Sequence, residues 1–223
     1  MRPLVIANLK SYKLKQEIRE WIGEVEPGLV DLNVDAALAA PFPYLYLLEN
    51  TRLLKRAAQD VSPYPPGSYT GEINAEMLSD NQVSYCIVGH SERRKYFFEN
   101  YQQISSKIDM LVEHGITPVV CLRSEDITPQ LSAISDRSKT SCIFVYEPPE
   151  DIGGTTSAPL DKIVSGIERI KPFLSGKQMV GYGGSVNAGN IKALTSLVDC
   201  FLIATAALDP ESFIETCRNA STN

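Results

Sequence analysis

The sequence predicts an α/β protein built as a closed (β/α)8 barrel in one domain. Three observations carry that prediction. Eight short runs rich in apolar and β-branched residues recur along the chain, amphipathic helical stripes fall between them, and several of the runs are hydrophobic almost throughout rather than at alternate positions. Continuous hydrophobicity marks strands covered on both faces, as in a parallel sheet. Eight such strands, each followed by a helix, is the number that closes a barrel. An open doubly wound sheet is the alternative, but the glycine-rich dinucleotide fingerprint is missing after the first run.

In chain order, the first expected strand is Pro3–Ala7. Ile18, Trp21, Ile22 and Val25 follow at the spacing of a helical stripe. Strands are expected next at Asp35–Ala40, Arg56–Val61 and Val83–Val88. The last of these runs through Gly89 into His90 and the charged cluster Ser91-Glu92-Arg93-Arg94. Ile104, Ile108, Leu111 and Val112 form a second stripe, closed by Gly115 just past the helix end. The strand Thr117–Cys121 precedes a polar, weakly periodic stretch, Ser124–Lys139, so the fifth connection is expected to be irregular or reduced. Strands at Cys142–Tyr146, Gln178–Gly181 and Cys200–Ala204, with a third stripe at Ile163, Ile167, Ile170 and Leu174, complete the alternation. The last helix opens at "DPES", with Asp209 as N-cap and Pro210 at the first helical position.

Composition narrows the function classes. Apolar content of 43% and charged content of 22% are those of an ordinary globular chain, and 223 residues suffice for one large core, so residues 1–223 are expected to form a single catalytic domain. No run approaches the roughly 20 apolar residues of a membrane span, and "MRPLVIANLK" reads as a strand rather than a signal peptide. The five cysteines form no CxxC and have no histidine at ligand spacing, which fits buried reduced thiols in a cytoplasmic protein. A net charge of −6 with no basic tract argues against nucleic acid as a partner.

In a barrel of this kind the reactive groups collect at the C-terminal ends of the strands, where the loops open onto one face. Those ends supply Asn8 and Lys10 after the first strand, His90 after the fourth and Glu147 after the sixth. The seventh and eighth supply Gly183-Gly184-Ser185 and "LIATAA". A lone lysine there is usually solvated, a lone histidine usually structural, and a Gly-Gly pair usually a turn. Together they place a carboxylate, an imidazole, an ammonium and two small-residue loops on one rim. Loops after the last two strands are the usual phosphate site of such barrels.

The segments "ANLK", "AQDV", "YTGEI", "VGHSERR", "YEPPEDIG" and "YGGSV" occur in the order and on the strands found in the triosephosphate isomerase family. The chain resembles that family from end to end, and most resembles its short archaeal-type form. The resemblance implies a TIM barrel that interconverts dihydroxyacetone phosphate and D-glyceraldehyde 3-phosphate through an enediolate, in glycolysis and gluconeogenesis, with no cofactor or metal. It implies Glu147 as the base, and His90 as the electrophile and proton shuttle. Lys10, held near Glu92, would supply positive charge, with Asn8 completing the electrophilic side. The phosphate would lie against the backbone at Ile152–Gly153, Gly184–Ser185 and Ala204–Thr205. A helix opening at Ser91 would present its positive end to His90, so that a neutral imidazole can donate to the substrate oxygen; triosephosphate isomerase is itself the standard illustration of that point. The loop at residues 62–73, with Tyr64, Tyr69 and three prolines, would enter a neighbouring subunit and bring Thr70 near the partner's lysine. That implies a homodimer, with a homotetramer as the archaeal-type alternative.

The chain departs from the family at Glu150-Asp151, where Trp-Ala is usual, and at Thr155, where Gly is usual. It also departs at Ala204-Thr205 in place of Gly-Gly, and after Cys121, where Gly-Glu is missing. None of these removes an acid, base or electrophile. Two other classes compete. A phosphosugar lyase would want a lysine inside a middle strand, and a metal-dependent enzyme would want clustered histidines, whereas the chain has two. A non-catalytic scaffold barrel would have no use for Lys10, His90 and Glu147 together.

Overall fold

The computed structural model describes residues 2–148, 157–176 and 178–221. The strands are β1 (Leu4–Asn8), β2 (Asp35–Ala39), β3 (Leu54–Ala58), β4 (Tyr85–Val88), β5 (Thr117–Leu122), β6 (Ile143–Tyr146), β7 (Val180–Tyr182) and β8 (Cys200–Ile203). They form a closed, all-parallel barrel in sequence order, sealed where β1 pairs with β8 from Leu4 opposite Cys200 to Ala7 opposite Ile203. The fold is therefore the (β/α)8 TIM barrel that the alternation predicts.

Around it lie α1 (Lys15–Gly28), α2 (Ala75–Asp80), α3 (Ser91–Tyr96), α4 (Tyr101–Glu113) and α5 (Ile127–Ala133). These are followed by α6 (Asp136–Lys139), α7 (Leu160–Ile170), α8 (Ile191–Leu194) and α9 (Pro210–Ala220). The start and stop signals act as their chemistry dictates. Asp209 caps α9 by accepting from Ser212 N–H, Pro210 occupies its first position, and Gly115 follows α4 at φ +71°.

Several strand ends shift by a residue or two, β4 and β7 among them, and two features differ more. The third strand lies at Leu54–Ala58, not Arg56–Val61. The charged pair Lys55-Arg56 stays in the ladder because both side chains find partners outside it: Lys55 faces Asp35 at 3.8 Å, and Arg56 donates to the Asn81 carbonyl at 2.5 Å. Beyond Ala58 the chain leaves the ladder. The fifth connection is short but not irregular; it folds as α5 and α6, the latter capped by Ser135 Oγ accepting from Ser138 N–H at 3.2 Å.

Period-two alternation along the strands divides the apolar residues into two cores. Leu4, Ile6, Ile143, Val145, Cys200 and Leu202 belong to an inner cluster that fills the barrel. Val5, Ala7, Phe144 and Phe201 pack outward against the helical stripes, with Ile18, Trp21, Ile104, Ile163 and Phe213. The same parity carries Asn8, Glu147 and Ala204 onto the inner line at the strand ends. Among the described residues no helix is long and apolar enough to cross a membrane.

Candidate active site

The mouth of the barrel brings Asn8, Lys10, His90, Glu92 and Glu147 together. Lys10 follows β1 in a left-handed conformation, φ +50°, which a side chain adopts only when its surroundings hold it there. Three bonds do so. Its N–H donates to Asn8 Oδ1 at 3.0 Å, its carbonyl accepts from Gln59 Nε2 at 2.8 Å, and its Nζ donates to Glu92 Oε1 at 2.6 Å. Gln59 also reaches the Ala39 carbonyl at 2.9 Å, so one amide ties the ends of β1, β2 and β3.

His90 caps α3. Its Nδ1 accepts from the Glu92 N–H at 3.3 Å, so in the neutral ring the proton lies on Nε2. Ser91 is the first residue of that helix. His90 Nε2 faces Glu147 Oε1 at 3.6 Å, too long for a hydrogen bond, and the two groups oppose one another without locking. Glu147 is only 2% exposed, and its Oε2 has no hydrogen-bond partner among the described residues. Its backbone is fixed, with N–H donating to the Leu122 carbonyl at 2.9 Å.

The loop after β7 is shaped around that carboxylate. A Cβ on Gly183 would stand 2.8 Å from Glu147 Cγ and Oε1, so the position accepts no side chain without displacing that carboxylate. Gly184 is buried, and Ser185 sits at φ +50° with its carbonyl accepting from Asn190 Nδ2 at 3.0 Å. After β8 the chain turns through a 3-10 segment, Thr205–Ala207, entered at Ala204; Thr205 is not in the left-handed region. First N–H groups of a helical turn have no partner inside it and are suited to an anion.

Thr70 is exposed on the 62–73 loop. Ile152 and Gly153, and the segment 149–156 that contains them, lie outside the described residues. Among the described residues no group of three or more His, Cys, Asp or Glu side chains is disposed to hold a metal.

The structure adds residues that strand-end reasoning passed over. Gln59 fell inside the expected strand Arg56–Val61 and becomes a strand-end residue only because β3 stops at Ala58. Cys121 lies in the inner core, and burial first, then the Glu147 carboxylate beside it, push its thiol well above the usual range. Tyr182 accepts from the Ala158 N–H at 3.3 Å, tying the end of β7 to the chain just before α7. No local signal marks that pair, because it joins residues 24 apart.

Arg93, Arg94 and Glu99 are structural, as their dense charge suggests. Arg94 donates to the carbonyls of Gly89 and Cys121 at 2.7 and 3.3 Å, bracing the ends of β4 and β5 beneath His90. Arg93 bonds Asp60 at 2.8 Å and also Glu99, which Lys107 reaches at 2.5 Å.

The family model described as Triosephosphate isomerase matches residues 3–220. The chain is 33% identical to the triosephosphate isomerase of Thermus thermophilus, over 98% of this chain and 99% of that protein. It is 35% identical to that of Mesomycoplasma hyopneumoniae, over 96% and 97%, and 34% identical to that of Hahella chejuensis, over 84% and 86%.

Proposed function

The chain belongs to the triosephosphate isomerase family, and from that premise we propose how its residues divide the work. The reaction is the interconversion of dihydroxyacetone phosphate and D-glyceraldehyde 3-phosphate, an aldose–ketose isomerisation of glycolysis. Glu147 removes the proton from the carbon beside the carbonyl. The electron pair of that C–H bond moves into a new C=C bond, and the carbonyl π pair moves onto oxygen. His90 Nε2–H donates to the developing oxyanion, and the imidazole then relays a proton between the two oxygens before Glu147 returns its own to the neighbouring carbon. Carbon acids are weak, so this chemistry needs a dry carboxylate and an electrophile held ready. The observation that carries the reading is the Glu147 carboxylate, buried with one oxygen unpartnered among the described residues and the other opposite the His90 nitrogen that holds the proton in the neutral ring.

Lys10 and Asn8 stabilise charge on the same side. The bond to Glu92 aims Lys10 and leaves its ammonium at the mouth. The phosphate rests on the backbone of Gly184–Ser185 and Ala204–Thr205, and the family resemblance adds Ile152 and Gly153, outside the described residues, to its ligands. A test of the whole reading is isomerisation of dihydroxyacetone phosphate in D2O. A proton that passes through a carboxylate exchanges with solvent, so the product carries deuterium on the carbon beside its carbonyl. Product free of deuterium would mean a direct hydride shift and would dismiss Glu147 as base.

The whole chain acts as one catalytic domain, in the cytoplasm; five cysteines that are all buried and free support that compartment. We also read the enzyme as a homodimer. Tyr12, Tyr46, Tyr64, Tyr69 and the run Tyr96-Phe97-Phe98 are all exposed by 41% or more, an unusual aromatic load for open surface. Tyr64 and Tyr69 stack at 4.6 Å and stiffen the 62–73 loop in a protruding shape, which supports its insertion into a second copy with Thr70 toward that copy's lysine. Sedimentation of the active enzyme should give twice the chain mass of 24.6 kDa. A fully active monomer overturns this, and a tetramer extends it.

A further inference from the structure

Trp21 is the one tryptophan in the protein, and no strand-end logic assigns it a role. It is 1% exposed on the inner face of α1, between Ile18 and Val25. Core packing alone would account for a large apolar ring there. The indole N–H is the part that needs explaining, because a buried donor must find an acceptor and a leucine would not impose that requirement. Nε1 donates to the carbonyl of Ala207 at 2.8 Å, across 186 residues of sequence. The ring is also tilted against Phe213 of α9, with centroids 5.3 Å apart.

Ala207 is the last residue of the 3-10 turn Thr205–Ala207 that follows β8. The turn closes through Ala207 N–H to the Ala204 carbonyl at 3.0 Å and Leu208 N–H to the Thr205 carbonyl at 3.2 Å. Carbonyls at the end of a helical turn lack partners within it, and Ala207 is fully buried, so water does not serve it. The stretch from Ala204 to Asp209 is anchored at one end by the ladder of β8 and at the other by the capped start of α9. The indole bond ties its middle to a third element, α1.

We propose that Trp21 is a positioning residue for the substrate phosphate: its hydrogen bond to Ala207 sets the height and tilt of the Ala204–Ala207 turn, and so the direction in which the turn's leading N–H groups point. This rests on the reading that the phosphate meets Ala204–Thr205. A turn that tilts loosens the phosphate in every bound state alike, which is the signature of lost uniform binding.

The test replaces Trp21 with 3-benzothienylalanine, which keeps the shape and packing of indole but carries sulfur in place of N–H. Inorganic phosphate is titrated into wild type and variant while the Thr205 and Ala206 amide resonances are followed. Loss of a buried hydrogen bond should weaken phosphate binding about tenfold and raise KM by a similar factor, with kcat held within about twofold. Native phosphate affinity and native KM in a variant of unchanged far-UV circular dichroism and thermal melt overturn the proposal. If those amides do not respond when phosphate saturates the wild type, the assignment of the turn to the phosphate fails, and this inference with it. Trp21→Phe, which loses both packing volume and the donor, should weaken phosphate binding at least as much; a Phe variant with native affinity also overturns the proposal.

Discussion

Two buried glutamates flank α3, and they have opposite surroundings. Glu99 and Glu147 have side-chain exposures of 6% and 2%, and each has one oxygen without a hydrogen-bond partner among the described residues. Glu99 spends its other oxygen on two cations, Arg93 and Lys107, which also hold Asp60. Glu147 has no bonded cation among the described residues; it faces an imidazole 3.6 Å away and a glycine that leaves it room. Burial therefore does not separate a carboxylate of the frame from one at the barrel mouth. What separates them is whether cations inside the protein bond the carboxylate. The helix start alternates accordingly, with His90 and Glu92 serving the mouth while Arg93 and Arg94 serve the frame.

The comparison can be broken at either end. Glu147→Gln should lower kcat by roughly 10²–10⁴, the usual loss for a general base, with Tm within about 2 °C of wild type. Turnover assays and thermal melts on one preparation check both halves, and a large fall in Tm would place Glu147 in the frame. Lys107→Met should behave the other way round. Its ammonium bonds Asp60 at 2.7 Å and Glu99 at 2.5 Å, so its loss strands two buried carboxylates. A destabilisation of about 3–5 kcal/mol is expected, or about 10 °C in Tm, while kcat/KM of the folded fraction stays within a few-fold.

A finer contrast lies in pH. Burial raises the pKa of Asp60 above the ordinary 3.8, and the like charge of Glu99 adds to it, against the pull of Lys107 and Arg93. Its contribution to stability is therefore complete below 3.8 and is lost as pH rises through the raised folded value. Asp126 is the reverse. Burial pushes it up, but the bond from Arg123 and the charges of Arg94 and Arg123 outweigh burial and leave it lowered. Its contribution is present above 3.8 and is lost as pH falls through the lowered value. In Tm-against-pH profiles, the gap between wild type and Asp60→Asn should shrink as pH rises above 3.8. The gap to Asp126→Asn should shrink as pH falls below it, each by about 2–4 °C. Parallel profiles for the two variants would mean that neither carboxylate titrates differently on folding.

The barrel was legible because its signals are periodic: strands hydrophobic throughout, stripes at helical spacing, and caps such as Asp209 and Gly115. The third strand was misplaced because Lys55 and Arg56 read as a strand's end, while the fold gives both of them partners off the ladder. Strand ends supplied Asn8, Lys10, His90 and Glu147 as candidates, and the order of the motifs joined them into one site. The distant pairs were not legible. The strain at Lys10, the bridge from Gln59, the Tyr182–Ala158 tie and the Trp21–Ala207 bond each join residues that share no local pattern. Such ties exist only once the barrel has closed.

That closure has a consequence during synthesis. The seam lies between β1 and β8, so the strand that leads to Asn8 and Lys10 is made long before the strand that leads to Ala204–Thr205 and pairs with it. At about 5–20 residues per second the ribosome leaves roughly 10–40 s in which β1 has emerged without its second neighbour. Throughout that interval one row of its N–H and C=O groups lies open, on a strand, Leu4–Asn8, that is buried at every position in the finished barrel. The nascent chain is thus most adhesive along the edge that later carries the ammonium, and a chain that stops before Cys200 never loses that edge.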